Sequence, residues 1–426
     1  MAPLPIRIVA VATLFYAMPI FGSPAFDSKG AFAIAVQADD DDDDDDDDDG
    51  SSAGDRDDDD DEPPQRIRRT APPPPPEAAP SELVVLGLDA TTRTELERLG
   101  YRLLREDSLS GLALLQLPRG VTLDAGLEAV AGLLPSALVA PNSYYRNQAS
   151  ADCVAEICDS WALAGYAPPV GQCLFAPAIG VVDTGVNLEH DMLRNADIRF
   201  ERVGDVGAAP SGPKHGTAVV ALLVGDPDGR VPGMLPAAKL HVADPFVLAG
   251  RDERADAYGL YLAIASLVAA EVEVINLSLA GPANLLIERA VLDADAAGIP
   301  IVAAVGNDGP RAGPRYPAAY ASVVAVTAVD AAGRVYRRAG QGAHVDFAAP
   351  GVGISTAASV SGVRVQTGTS FAAPFVTAAL AVAKSRRSDA TPAELQAALS
   401  EISIDLGAPG RDPVFGNGLI QVGSPC

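Results

Sequence analysis

Three short segments carry side chains that could together break an acyl bond. Asp183 lies in Val181-Val182-Asp183-Thr184-Gly185, His215 in Lys214-His215-Gly216-Thr217, and Ser370 in Gly368-Thr369-Ser370-Phe371-Ala372-Ala373-Pro374. A serine hydroxyl is a poor nucleophile until an imidazole accepts its proton. The imidazole in turn needs a carboxylate to orient it and stabilise its charge. Singly, each segment says little. Asp-Thr-Gly also marks aspartic proteases, but those need two such carboxylates on one site, and this chain has one. A histidine before glycine is ordinarily a turn or cap, and a serine ahead of a helix is ordinarily an N-cap. Taken jointly and in order, the trio points to nucleophilic catalysis.

The surrounding pattern supplies elements to position the three. Short apolar runs at Ala178–Val182, Val219–Val224, Leu240–Ala243, Val272–Leu277, Ile301–Ala304 and Val323–Val326 alternate with helical stretches such as Ala257–Ala269 and Leu285–Ala297. Continuous apolar strands between helices predict a parallel sheet covered on both faces, and sites in such sheets form at the carboxyl ends of strands. Asp183 ends one strand, while His215 and Ser370 each open a helix. Upstream, Leu83–Leu86, Leu112–Leu117 and Ala137–Val139 read as strands and Thr91–Leu99 and Leu123–Leu134 as helices, a small α+β unit.

In these segments the chain resembles the subtilisin-like serine proteases, the subtilases, whose catalytic residues follow the order Asp, His, Ser. The resemblance spans roughly residues 175 to 423. It includes Asn276-Leu277-Ser278-Leu279, the run Ala303 to Gly309, and Gly416-Asn417-Gly418-Leu419-Ile420. It implies a three-layer α/β fold with a mostly parallel sheet, preceded by a small α+β prodomain. It also implies peptide-bond hydrolysis: Ser370 attacks, His215 is base and then acid, Asp183 holds the imidazole, and Asn307 with the Ser370 backbone N–H forms the oxyanion hole. Gly306 and Gly309 frame the loop that would aim the Asn307 amide. Ser278, Leu279, Ala280 and Ala304 become the walls of the pocket for the residue before the cleaved bond. Ala280 and Val305 depart from the family pattern, as does Arg315 at the pocket base. An inward Arg315 would favour acidic or small residues, whereas pairing with Asp308 would leave an apolar preference. His190, His241 and His344 read as structural, and Asp346 and Pro350 as parts of a structural turn. The alternative is a catalytically silent binding or chaperone-like protein on the same fold.

The domain plan follows: an export signal over 1–38, a disordered Asp/Pro-rich segment over 39–81, an inhibitor-like propeptide over 82–147, a cysteine-containing linker read as irregular over 148–174, and a peptidase domain over 175–426. Arg7, the apolar run Ile8–Phe21 and small residues at Ser23–Ala25 or Val36–Ala38 fit a cleaved signal and a secreted or periplasmic protein. An uncleaved anchor is the rival, although the apolar run is shorter than the roughly 20 residues of a spanning helix. Of the formal net charge of −25, residues 39–62 alone carry −17, so the remainder is only mildly acidic. With no basic stripe, nucleic-acid binding is disfavoured. The expected partners are protein or peptide substrates and the chain's own propeptide as an intramolecular inhibitor, around a monomer. Catalysis of this kind requires no cofactor. The resemblance allows structural calcium, but no complete ligand set is legible, and contiguous Asp lacks the spacing of a calcium loop. Cys153, Cys158, Cys173 and Cys426 would form one or two disulfides in an oxidising compartment, with three full pairings open.

Overall fold

The computed structural model describes residues 75–147, 160–166 and 175–424. The first of these stretches forms strands β1 (Ala78–Leu86), β2 (Arg102–Asp107), β3 (Leu112–Gln116) and β4 (Leu138–Asn147) with helices α1 (Ala90–Arg98) and α2 (Leu123–Leu133). Asp89 and Thr122 cap the two helices by accepting the backbone N–H of Thr92 and Ala125, which satisfies donors the first turn leaves orphaned. The strands pair antiparallel in the order β2-β3-β1-β4. Period-2 alternation divides their apolar residues between two cores. Leu83, Val85 and Leu115 pack with Leu96 and Val130 of the helices, whereas Val84, Leu112 and Leu114 join the main core of the molecule. Because both faces are covered, Leu83–Val85 is continuously apolar rather than alternating with polar residues.

After a helical turn α3 (Ser160–Leu163), the chain builds β5 (Ala178–Val182), β6 (Asp197–Arg202), α4 (Lys214–Val224), β7 (Lys239–Asp244), β8 (Phe246–Ala249), β9 (Asp252–Asp256), α5 (Ala257–Ala269), β10 (Val274–Leu277) and β11 (Leu279–Ala280). There follow α6 (Leu285–Ala296), β12 (Ile301–Ala304), β13 (Val323–Val329), β14 (Phe347–Pro350), β15 (Ile354–Ala357), β16 (Val363–Gln366), α7 (Thr369–Arg386) and α8 (Pro392–Ile402). Seven strands form one parallel sheet in the order β14-β13-β12-β10-β5-β7-β6. Every residue of β10, β12 and β13 is buried, as expected where helices cover both faces. Helix α7 crosses β10, β12, β13 and β14 and packs on α4 and α8, while α5 and α6 pack together and reach β5, β7 and β12. This is the expected three-layer α/β architecture with a small α+β unit ahead of it.

Several details differ from the sequence reading. Strand β1 starts at Ala78, within the segment expected to be disordered, and β4 runs on to Asn147 instead of ending at Val139. Strands β2, β6 and β9, rich in charged residues, and the four-residue β8 were not anticipated, and Val219–Val224, expected among the apolar strands, is the second half of α4. The linker expected to be irregular contains α3, whose Trp161 ring lies 5.2 Å from Tyr166 and 5.4 Å from Phe375 of α7. All four cysteines, the export segment and the Asp run lie outside the described residues.

Candidate active site

Asp183 leaves the carboxyl end of β5, and His215 sits in the first turn of α4. The two elements approach closely because Gly216 has no side chain: a Cβ there would collide with the carbonyl oxygen of Thr184. His215 Nδ1 lies 2.6 Å from Asp183 Oδ1, with both side chains buried. Asp183 Oδ1 also accepts the Thr184 backbone N–H at 2.7 Å. A carboxylate at Nδ1 places the ring proton there and leaves the lone pair on Nε2. That Nε2 is buried without a hydrogen-bond partner.

Ser370 is the second residue of α7 and is fully buried. Its hydroxyl donates to the carbonyl oxygen of Ser278 at 3.0 Å, and its own carbonyl oxygen accepts the Ser278 hydroxyl at 2.8 Å. Asn276 supports this pair, donating to Ser278 Oγ and accepting from Thr377 Oγ1 on the next turns of α7. The His215 ring packs 5.4 Å from that of Phe371, the neighbour of Ser370. The Ser370–His215 hydrogen bond itself is not made. Such bonds are often loose in a resting site and tighten when substrate arrives.

Asn307 follows β12, after Gly306 at φ 93°, a left-handed conformation that favours glycine. The side-chain oxygen of Asn307 accepts both the backbone N–H and the hydroxyl of Thr369, at 3.2 and 3.1 Å. The donating nitrogen is thereby the amide atom turned away from Thr369. Ser278, Leu279, Ala280 and Ala304 are all buried beside this loop. The Arg315 stem closes the same corner: a Cβ on Gly306 would lie 3.2 Å from Arg315 Cγ and 3.7 Å from Ala280 Cβ. Arg315 does not project its charge into the corner. Its guanidinium binds Asp308 at 2.6 Å and Glu77, just ahead of β1, at 2.9 Å.

Residues 176–418 match the Subtilase family. The chain belongs to that family. It is 31% identical over 245 residues to the minor extracellular protease Epr of Bacillus subtilis, covering 57% of this chain and 37% of that one. It is likewise 31% identical over 253 residues to subtilisin DY of Bacillus licheniformis, covering 57% of this chain and 88% of the relative. The chain thus spans just over a third of the first relative and most of the second. Among solved structures, fervidolysin from Fervidobacterium pennivorans, a keratinolytic enzyme related to subtilisin, superposes with a TM-score of 0.66 at 20% identity, over 81% of this chain and 60% of that one.

In this subtilase the α+β unit touches the site directly. The end of β4 pairs antiparallel with β11, Arg146 opposite Ala280 and Asn147 opposite Leu279. On its other edge β4 pairs with β9, Tyr144 opposite Asp256 and Tyr145 opposite Ala255. Sequence reasoning missed β9 and its acidic residues Asp252, Glu253 and Asp256; the strand also pairs with the adjacent β8, Phe246 opposite Ala255 and Ala249 opposite Asp252. Of the remaining histidines, His190 is buried with Nδ1 3.1 Å from the Met192 backbone nitrogen. Burial, and then the nearby Arg411, lower the pKa of His344. Asp346 accepts from the Ala325 backbone N–H and from Arg411. Among the described residues no group of three or more His, Cys, Asp or Glu side chains is placed to hold a metal ion, and no helix is long and apolar enough to cross a membrane.

Proposed function

We propose that the chain is a secreted serine endopeptidase, made as a precursor whose α+β unit blocks the groove until it is cut away. The observation that carries this reading is the pairing of β4 with β11. A strand edge that takes up an extended backbone recognises a polypeptide through main-chain hydrogen bonds, and this edge leads straight out of Ser278, which holds Ser370. Ester or small-molecule substrates would not call for such an edge.

In the working enzyme a substrate strand takes the place of the end of β4. The Ser370 hydroxyl turns from the Ser278 carbonyl to Nε2 of His215, which removes its proton as Oγ attacks the scissile carbonyl. Charge on the carbonyl oxygen is met by the Asn307 amide nitrogen and the Ser370 backbone N–H, donors fixed before the reaction begins. The imidazolium, steadied by Asp183, gives its proton to the departing amine. Water then enters, His215 deprotonates it, and the acyl bond to Ser370 is hydrolysed. Apart from the hydrolytic water, every step uses side-chain or backbone groups of this chain, and none calls for a cofactor. With Arg315 tied to Asp308, the pocket beside Ala280 and Ala304 suits an apolar residue before the cleaved bond. Export is supported by Arg7 and the apolar run Ile8–Phe21.

The test compares wild type with Ser370→Ala, each incubated with casein and a serine-directed phosphonate. Labelling and digestion by wild type alone are expected. A folded wild type that neither labels nor digests, with the α+β unit removed, would overturn the reading.

A further inference from the structure

The edge of β4 that faces β9 carries an ion pair with the geometry of a recognition site. Arg146 Nε and Nη2 meet Asp252 Oδ1 and Oδ2 at 2.8 and 2.9 Å. Two parallel contacts between a planar guanidinium and one carboxylate form the bidentate arrangement that lysine cannot reproduce. The pair is about three-quarters buried, with side-chain exposures of 23% and 24%. Hydrogen bonding from Arg146, followed by that from Arg254, holds the Asp252 carboxyl below its usual range despite its burial. Next to it Glu253 accepts from Asn147 Nδ2 at 3.0 Å and from the Gly212 backbone N–H at 2.6 Å.

Asp252 and Glu253 belong to the catalytic unit, whereas Arg146 belongs to the strand that the proposed maturation removes. After removal, Arg254 at 2.7 Å is the cation left beside the two carboxylates, so the site keeps a net negative charge next to the vacated groove. Strands β9 and β11 flank that groove from opposite sides, and the register of β4 on Ala280 fixes which substrate residue reaches Asp252.

We propose that Asp252 is a specificity-determining residue that selects arginine in the substrate at the position opposite Ala280, two residues ahead of the one that faces Ser278. This rests on the reading that a substrate takes the place of β4. The preferred substrates are then peptides with an arginine upstream of the cut, in addition to whatever the pocket at Ala304 admits.

The experiment digests a mixed peptide library with the processed wild-type enzyme and sequences the products by mass spectrometry. Arginine is expected to be enriched about 10-fold at one position, the second or an earlier residue before the cut, with lysine well behind, as befits one partly exposed charge-assisted pair. Asp252→Asn should flatten that position and leave the others unchanged, and Asp252→Arg should turn its preference to glutamate. Should either variant fail to mature, the ranking of arginine, lysine and glutamine in wild type decides the matter alone. A wild-type profile indifferent to charge at every upstream position, or an arginine preference that survives in Asp252→Asn, overturns the proposal while leaving the endopeptidase reading intact. Failure to cut any peptide by enzyme that has shed the α+β unit overturns both.

Discussion

The floor beneath Ser370 and the seam between β4 and its neighbouring strands are built from opposite materials. Under Ser370 the polar groups are fully buried, each tied to others through short side-chain bonds: Asp183 to His215, Asn276 to Ser278, Asn307 to Thr369. Along the seam, partly exposed charges meet across two units, Arg105 with Asp256, Arg146 with Asp252, Arg315 with Glu77. Buried bonds of the first kind are costly to break because the abandoned partner has no water to turn to. Partly exposed ion pairs are worth little singly and weaken with salt. The difference suits the proposed function, in which one region keeps its geometry through catalysis and the other lets go.

This contrast can be attacked from both sides. The largest effect is expected at Asn307. Replacing it with alanine should lower kcat about 100- to 1,000-fold, the loss seen when such a donor is removed from a subtilisin, with KM little changed. A loss under tenfold in steady-state hydrolysis would mean that the amide does not face the developing charge.

Asp244, at the end of β7, tests whether the floor tolerates charge. It is buried, accepts from the Ser211 hydroxyl and the Phe246 backbone N–H, and burial raises its pKa to about 6 in spite of those bonds. An acid whose pKa is raised on folding stabilises the fold fully below its unfolded value, near 4. That contribution is lost as pH rises through the folded value, near 6. Asp244→Asn should therefore gain about 1–2 kcal/mol over wild type at pH 8 and lose that advantage by pH 4. Denaturant midpoints at the two pH values would check it, and an advantage independent of pH would contradict it.

The smallest effect belongs to the seam. Arg105→Ala in the precursor removes the pair with Asp256 and a cation–π contact 4.6 Å from the Tyr258 ring centroid, which together amount to about 1 kcal/mol. The thermal midpoint of the Ser370→Ala precursor should fall by a few degrees and the salt dependence should flatten. A much larger drop would mean that this pair, and not the strand pairing, holds the units together.

The two regions also differ in how far the sequence discloses them. The Asp183, His215 and Ser370 segments are legible because packing constrains the neighbours of each as tightly as the residue itself: Gly216 must admit Thr184, and Gly306 must turn the chain into Asn307. Sheet strands such as Val274–Leu277 announce themselves through continuous apolar residues. Strand β9 does not. Asp252–Asp256 forms a hairpin with the adjacent β8 and meets β4, more than a hundred residues earlier, at Ala255 and Asp256; its charged residues, partly neutralised by Arg146 and Arg105 of the distant unit, mask the apolar alternation that would mark a strand. The far half of β4 is hidden for the same reason, with Asn142 bonded to Glu82 and Asp256. Arg315 was legible as an oddity at the pocket, but its pairing with Glu77 depends on where β1 begins.

The measurement that bears most directly on the account is the N-terminal sequence of the accumulated protein, determined by mass spectrometry for wild type and for Ser370→Ala expressed side by side. The account predicts a wild-type chain that begins between residues 148 and 174, free of the α+β unit, and a Ser370→Ala chain that keeps it. A wild-type chain that still begins ahead of Leu83, or a Ser370→Ala chain cut at the same place, would contradict it.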